Sequence, residues 1–290
     1  MQRLDFSGYL LKVSQIIFIE KSTTYKKNLK FARGSQAISI IKLNFLIPNF
    51  QFPIPIMMII SCEKCTMSIL CNPLVVSGTE IDMVRPMVNR HQFVKRGDFV
   101  FRQGDKFRSI IAVAQGAVKL LVKYEKDQEQ VLGFRLIGEI VGLGGMHKGH
   151  YLMDAQALEN SLLCEIPFDL FEKFAHLVPQ IQRELRRLLS DELVRNQYQS
   201  VSLGKKTAEA RLASFLWNIS YRYSQQGCYS VDNYILPMAR HDIANFLGLT
   251  KETISRIFQK FQEKGVLLTQ RKQVRITNLD LLKAMAGGVF

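Results

Sequence analysis

The chain has 290 residues, 47% hydrophobic and 22% charged. That is ordinary globular composition, and it excludes wholesale disorder, a collagen-like repeat and a disulfide-framed secreted scaffold. Its 39 Lys and Arg against 25 Asp and Glu leave a net +14, so an anionic partner is expected: nucleic acid, a membrane surface or an acidic protein. The surplus is loaded at the ends, with net +6 in residues 1–57, +2 in 58–205 and +6 in 206–290. Such a distribution points to a separate polyanion-binding module.

Residues 1–57 show no sustained period and end at Met57-Met58. They are expected to be a disordered basic extension or a mis-assigned start. From Leu43 to Cys62 no residue is charged, a length that could span a bilayer. Pro48, Pro53 and Pro55 argue against it, because they would break an isolated helix with nothing to satisfy the freed carbonyls. No membrane partner is expected. The five cysteines, Cys62, Cys65, Cys71, Cys164 and Cys228, are odd in number, and three cluster within ten residues. Ligation in a reducing, cytoplasmic compartment fits better than a disulfide framework.

From Gly78 to Phe168 short apolar runs alternate with turn residues. Phe99–Phe101, Ile110–Val113, Val118–Tyr124 and Val131–Leu136 are predicted strands, each followed by a Gly or a polar run. Ala155 to Pro167 reads as a last strand. The β-branched content and turn spacing predict a β-sandwich or a jelly-roll β-barrel over 78–178. A helix follows over 179–205. Its Leu189, Leu193, Asn196, Ser200 and Leu203 are spaced 4, 3, 4, 3, which is a coiled-coil seam and predicts a homodimer. Asn196 can pair with its symmetry mate. The alternative is a helix packed on its own barrel.

Residues 206–290 form the second module, beginning with an amphipathic helix over Ala208–Tyr223. Tyr229 to Leu236 is a candidate short strand. In Arg240–Lys264 the apolar set is Ile243, Ala244, Leu247, Leu249 and Ile254. Gly248 lies where a turn needs free φ, and Thr250 where a helix N-cap should be. This is a helix-turn-helix, predicting double-stranded DNA as partner. Lys251, Glu252, Ser255 and Arg256, with Thr250 at the cap, face outward where base edges and phosphates are read. The alternative for Glu252 and Arg256 is an exposed i, i+4 ion pair. Val266 to Thr277, with Arg271, Lys272 and Arg275, is expected to be a wing against the phosphates.

Cys62, Cys65 and Cys71 form C-x2-C-x5-C, and Cys164 lies far downstream. Four thiolates complete either an iron–sulfur or a tetrahedral zinc site. The irregular spacing is unlike a zinc finger and tilts toward a cluster. Cys164 also reads as a buried core thiol, and Cys228 has no assigned role. No GxGxxG follows a strand, the five histidines are scattered, and His147 and His150 lack a carboxylate pair. No enzyme is expected.

The sequence resembles the Crp/Fnr superfamily of bacterial transcription regulators, and within it the Fnr oxygen-sensor branch. The resemblance runs from Cys62 to Gly287. It rests on the cysteine spacing, Gly138-Glu-Ile-Val-Gly, Ala155-Gln-Ala-Leu-Glu, Cys164-Glu-Ile-Pro-Phe and Leu247-Gly-Leu-Thr-x-Glu-Thr-Ile-Ser-Arg256. It implies an α+β architecture: an N-terminal jelly-roll β-barrel of the cyclic-nucleotide-binding type, a long dimerisation helix and a C-terminal winged helix-turn-helix. It implies one oxygen-labile [4Fe–4S] cluster per subunit, held by Cys62, Cys65, Cys71 and Cys164 in a cluster-binding segment over 58–77 and the barrel. The loaded homodimer would bind a palindromic TTGAT-like site through Glu252, Ser255 and Arg256. It would act with RNA polymerase as a global regulator, activating or repressing. The same cysteines used as a zinc or thiol redox switch are the alternative.

Two departures stand out. Cyclic-nucleotide members of the family hold the phosphate with an Arg-Ser pair after the Gly-Glu turn. Val141 to Met153 contains no Arg, so no cyclic nucleotide is expected. Fnr proteins are also expected to carry an acidic residue where Asn196 stands. A neutral Asn removes the repulsion that would make dimerisation depend on the cluster.

Overall fold

Eight short strands open the described part of the chain, which in this computed structural model comprises residues 91–125 and 128–287. These residues belong to the unit Pro55–Phe290. The unit Met1–Ile54 lies outside them, as do Cys62, Cys65, Cys71 and the segment 43–62. The strands are β1 (His91–Val94), β2 (Phe99–Phe101), β3 (Ser109–Gln115), β4 (Val118–Glu125), β5 (Gln128–Arg135), β6 (Ile140–Val141), β7 (Asp154–Ala157) and β8 (Ser161–Pro167). They pair antiparallel into two four-stranded sheets, ordered β1-β8-β3-β6 and β2-β7-β4-β5. Both sheets turn aliphatic and aromatic side chains into one core that includes Ile110, Val113, Val118, Val131, Phe134 and Leu163. Each such side chain stabilises the fold by about 1.5–3 kcal/mol on full burial. This is the expected two-sheet jelly-roll arrangement.

One predicted element divides. Ala155 to Pro167 is two strands, broken by the bend Leu158-Glu159-Asn160. Ser161 Oγ donates to Glu159 O at 2.8 Å, and Asn160 Oδ1 accepts from Arg96 N at 3.0 Å. β7 then pairs with β2 and β4, and β8 with β1 and β3, so the chain changes sheets here. A helix that the sequence reading did not contain, α1 (Phe168–Leu177), follows β8 directly. Its Phe171, Phe174 and Ala175, spaced for one helical face, are buried in the core.

The long helix α2 (Pro179–Lys205) starts with proline, whose missing N–H is an orphan at that position anyway. Next come α3 (Ala208–Gln225), β9 (Asn233–Ile235), α4 (Arg240–Leu247), α5 (Lys251–Glu263), β10 (Leu267–Gln270), β11 (Gln273–Ile276) and α6 (Leu279–Ala286). The three strands form a small sheet, β10-β11-β9. α6 is a second helix missing from the sequence reading. It is capped by Asn278, whose Oδ1 accepts from Leu281 N at 2.9 Å, and ends at Gly287 in the left-handed region. Among the described residues no helix is long and apolar enough to cross a membrane.

Candidate nucleic-acid interface

Helices α4 and α5 meet at a turn set by one glycine. Gly248 closes α4 with φ 62° and ψ 42°, the left-handed region that side chains disfavour. The Leu249 amide then donates back to Ala244 O at 2.9 Å. Thr250 is the N-cap of α5, its Oγ1 accepting from Thr253 N at 3.1 Å. Thr250→Ala is expected to cost about 1 kcal/mol. Chemical denaturation checks it, and an unchanged midpoint would refute the cap.

α5 is strongly two-faced. Ile254, Ile257, Phe258 and Phe261 are buried in the core that also takes in Ile243 and Leu247 of α4. Lys251, Glu252, Ser255 and Arg256 are exposed on the other face, with exposed Thr250 before them. The alternative ion pair does not form: among the described residues Glu252 has no ion pair, and Arg256 Nη2 lies 3.4 Å from Thr253 Oγ1. Ser255 Oγ donates to Lys251 O at 3.0 Å. An Arg and a Glu unpaired on the first turns of an exposed helix can offer a donor fork and an acceptor to base edges. The wing hairpin turns at Arg271-Lys272, with Arg271 at φ 55°. Lys272 is engaged elsewhere, its Nζ donating to Pro237 O at 2.9 Å. Arg271 and Arg275 remain exposed.

Two basic residues that sequence reasoning missed hold this module together. Arg211 of α3 donates to Leu203 O at 2.7 Å, Lys206 O at 3.0 Å and Leu247 O at 3.0 Å. It therefore serves the carbonyl ends of both α2 and α4, where a cation is favoured by the helix dipoles. The guanidinium of Arg240 lies over the Phe258 ring, 3.1 Å from its centre, and burial pushes its pKa down to about 10. It is still a cation at neutral pH. No periodicity or motif marks either arginine in advance.

Along α2 the five predicted seam residues are all exposed in the single chain. Leu189 is 40% and Leu193 59% accessible, and Leu203, Asn196 and Ser200 share that exposure. Val194 and Val201 extend the stripe. Away from the stripe the helix carries buried Ile181 and Ser202. Helix α2 thus packs on its own chain along one side and leaves a narrow apolar stripe on the other.

Cys164 is half-buried on β8, in register with Ala112 of β3 and His91 of β1. The other predicted ligands, Cys62, Cys65 and Cys71, fall outside the described residues. Among the described residues no group of three or more His, Cys, Asp or Glu is placed to hold a metal ion. His147 and His150 are both exposed. Cys228 is half-buried after α3, its Sγ 3.7 Å from Gln226 O.

The interior between the sheets near Val141 to Met153 is filled by aromatic rings. Phe101 and Tyr151 stack with centroids 3.7 Å apart, and Phe107 meets Tyr151 edge-on at 5.4 Å. The Tyr151 hydroxyl donates to Ser109 O at 3.0 Å, and burial pushes its pKa up to about 12. A Cβ at Gly142, itself at φ 93°, would lie 2.8 Å from the Tyr151 ring.

The chain matches the family description "Cyclic nucleotide-binding domain" over residues 91–176 and "Crp-like helix-turn-helix domain" over 210–285. It is 42% identical to the transcriptional activator protein FnrA of Stutzerimonas stutzeri over 79% of this chain and 93% of that protein. It is 39% identical to the fumarate and nitrate reduction regulatory protein of Salmonella typhimurium, over 79% of this chain and 91% of the other. The structure of FixK2 from Bradyrhizobium japonicum superposes with a TM-score of 0.63 at 24% identity. It covers 69% of this chain and 98% of its own, a likeness of fold.

Proposed function

Because this chain belongs to the Crp/Fnr family and is a transcription regulator of the Fnr type, we propose that it is an oxygen-responsive one. In this reading a homodimer binds palindromic TTGAT-like DNA in the cytoplasm and works with RNA polymerase. The observation that carries the DNA-binding part is the exposed face Lys251-Glu252-Ser255-Arg256 on a capped helix. That helix lies behind a long helix whose apolar stripe has no cover in the single chain. A second copy buries that stripe, and two reading helices then meet two half-sites.

The sensing part rests on the donor set. Cys164 sits half-buried on β8, in register with His91 of β1. Thiolates at Cys62, Cys65, Cys71 and Cys164 suit a [4Fe–4S] cluster, which when bound supplies oxygen-labile redox chemistry. The chain's own task is to hold a loaded form that favours the DNA-competent dimer, which shifts the population toward it. No cyclic nucleotide is part of the proposal. Aromatic rings fill the space around Tyr151, and the absence of Arg from Val141 to Met153 leaves an anionic phosphate without a bidentate guanidinium partner.

Protein purified without oxygen should contain about four irons and four sulfides per chain and lose its visible spectrum in air. Its binding to the palindrome should fall in parallel. Zinc, or no metal, would move the sensing step to thiol chemistry and overturn the cluster. Arg256→Ala should cost about 1–3 kcal/mol at one guanine and relax discrimination there. Binding to single-base variants of the half-site checks this, and unchanged discrimination at every base would refute the assigned readout.

A further inference from the structure

Strand β5 is the outer strand of its sheet, hydrogen-bonded to β4 on one side only. An open strand edge carries unsatisfied N–H and C=O groups that want a partner. Here the first helix of the helix-turn-helix supplies it. Asn245 Oδ1 accepts from Val131 N at 2.6 Å, and Asn245 Nδ2 donates to Glu129 O at 2.7 Å. One side-chain amide thus does the work of a neighbouring strand. Gln130 Nε2 answers by donating to Asn245 O at 2.9 Å.

An ion pair lies next to it. Lys119 of β4 is only 7% exposed and Asp242 of α4 only 4%. Lys119 Nζ is 2.9 Å from Asp242 Oδ1 and 3.3 Å from Glu129 Oε1. The other oxygen of Asp242 accepts from Ala239 N at 3.1 Å, so the same carboxylate caps α4. Phe246 closes the contact from the apolar side, 5.3 Å from Phe134 of β5 and 5.8 Å from Phe215 of α3. Its carbonyl accepts from Gln199 Nε2 of α2 at 2.9 Å. Only the Gly248 turn separates α4 from α5, so the angle of α4 is handed on to the reading helix.

We infer that Asn245 and Asp242 are positioning residues for DNA recognition: they clamp the reading head to the β4–β5 hairpin of the barrel. The inference rests on the dimeric, palindrome-reading function proposed above. A clamped pair of heads fits one half-site spacing, because inserting one base pair turns the second half-site by about 35°. Released heads sample many angles. If the competent orientation falls to about a tenth of the population, affinity falls about tenfold.

The test uses the full chain carrying Asn245→Ala, Asn245→Asp, Lys119→Met or Gln130→Ala. Affinity is measured for the palindrome at its own spacing and with one base pair inserted. Hydrogen exchange is followed in residues 128–135 and 251–263. Faster exchange in 128–135 with α5 still protected, about tenfold weaker binding and a lost preference for spacing are expected. Lys119→Met leaves the Asn245 hydrogen bonds in place but strands the Asp242 carboxylate, so Gln130→Ala, which of the contacts with α4 removes only the bond to Asn245 O, keeps the test open should those variants misfold. Unchanged exchange in 128–135, or faster exchange with affinity and spacing preference intact, would overturn the clamp. A wild-type chain that binds no palindrome would overturn the DNA reading itself and the clamp with it.

Discussion

Replacing Glu139 by Gln is expected to destabilise the protein by roughly 3–5 kcal/mol. The carboxylate is buried where α2 and α3 meet the barrel. Arg222 Nε donates to Oε1 at 2.7 Å, and Arg222 Nη2 donates to the other oxygen. Leu136 N donates to Oε2 at 2.9 Å, and Arg195 Nη1 stands 3.5 Å from Oε1. Burial alone would push the carboxyl up, but Arg222, Arg195 and Arg135 together outweigh it and hold it down at about 2. Gln keeps the shape and removes the charge, leaving Arg222 buried opposite a neutral amide. Pairing is what made that burial tolerable. A double change, Glu139→Leu with Arg222→Met, should restore much of the loss, because neither charge is then stranded.

The same pair sets a pH signature. A carboxyl whose folded pKa is depressed stabilises fully above its ordinary value of 4.5 and loses that contribution as pH falls toward about 2. Wild-type stability should therefore slope downward across that window, and Glu139→Gln should lack the slope. Urea titrations at stepped pH read both. A variant with the wild-type midpoint and the wild-type acid slope would remove Glu139 from the account.

The reading helix was legible from the chain because its signals are local. Gly248, Thr250 and the apolar set Ile243, Leu247 and Ile254 lie within a dozen residues, and each acts through its neighbours' backbone. The exposed apolar stripe of α2 is legible for the same reason, since periodicity along one helix needs no partner to be seen. What escaped depends on residues far apart. Glu139 and Arg222 are 83 positions apart, Lys119 and Asp242 are 123 apart, and only the folded chain joins them. Gly138-Glu139 drew notice as part of a family motif, whereas its physical task is to anchor Arg222. Helix α1 has a local signal, Phe168, Phe171 and Phe174 at helical spacing, but it starts directly after the last residue of β8, Pro167, with no turn residue to mark the change. The break at Glu159-Asn160 was hidden because residues on both sides are strand formers. Arg211 looks like any surface arginine until three carbonyls converge on it.

On the proposed ligand set, Cys164→Ala should abolish cluster retention while leaving the fold in place, and the two halves of that statement have separate causes. Cys164 lies mid-strand on β8, its backbone held by β1 and β3 on either side. Removing one half-buried sulfur leaves both ladders intact, so the melting temperature of the metal-free protein should move little. The metal half follows from the number of thiolates in the proposed ligand set. Cys62, Cys65 and Cys71 are close in sequence, and in the proposed site Cys164 supplies the fourth thiolate. With the barrel thiolate gone, three thiolates remain, one short of the four a [4Fe–4S] cluster takes. Iron per chain should drop from about four to near zero, while helicity and the exposed reading face are unchanged. DNA binding by this variant should match that of the air-exposed wild type. Asn196 adds a second axis to the comparison. If the neutral seam allows the metal-free chain to pair, Cys164→Ala will retain a measurable dimer, and Cys164→Ala with Asn196→Asp will not. A Cys164→Ala protein that keeps its full iron content would exclude Cys164 from the ligand set.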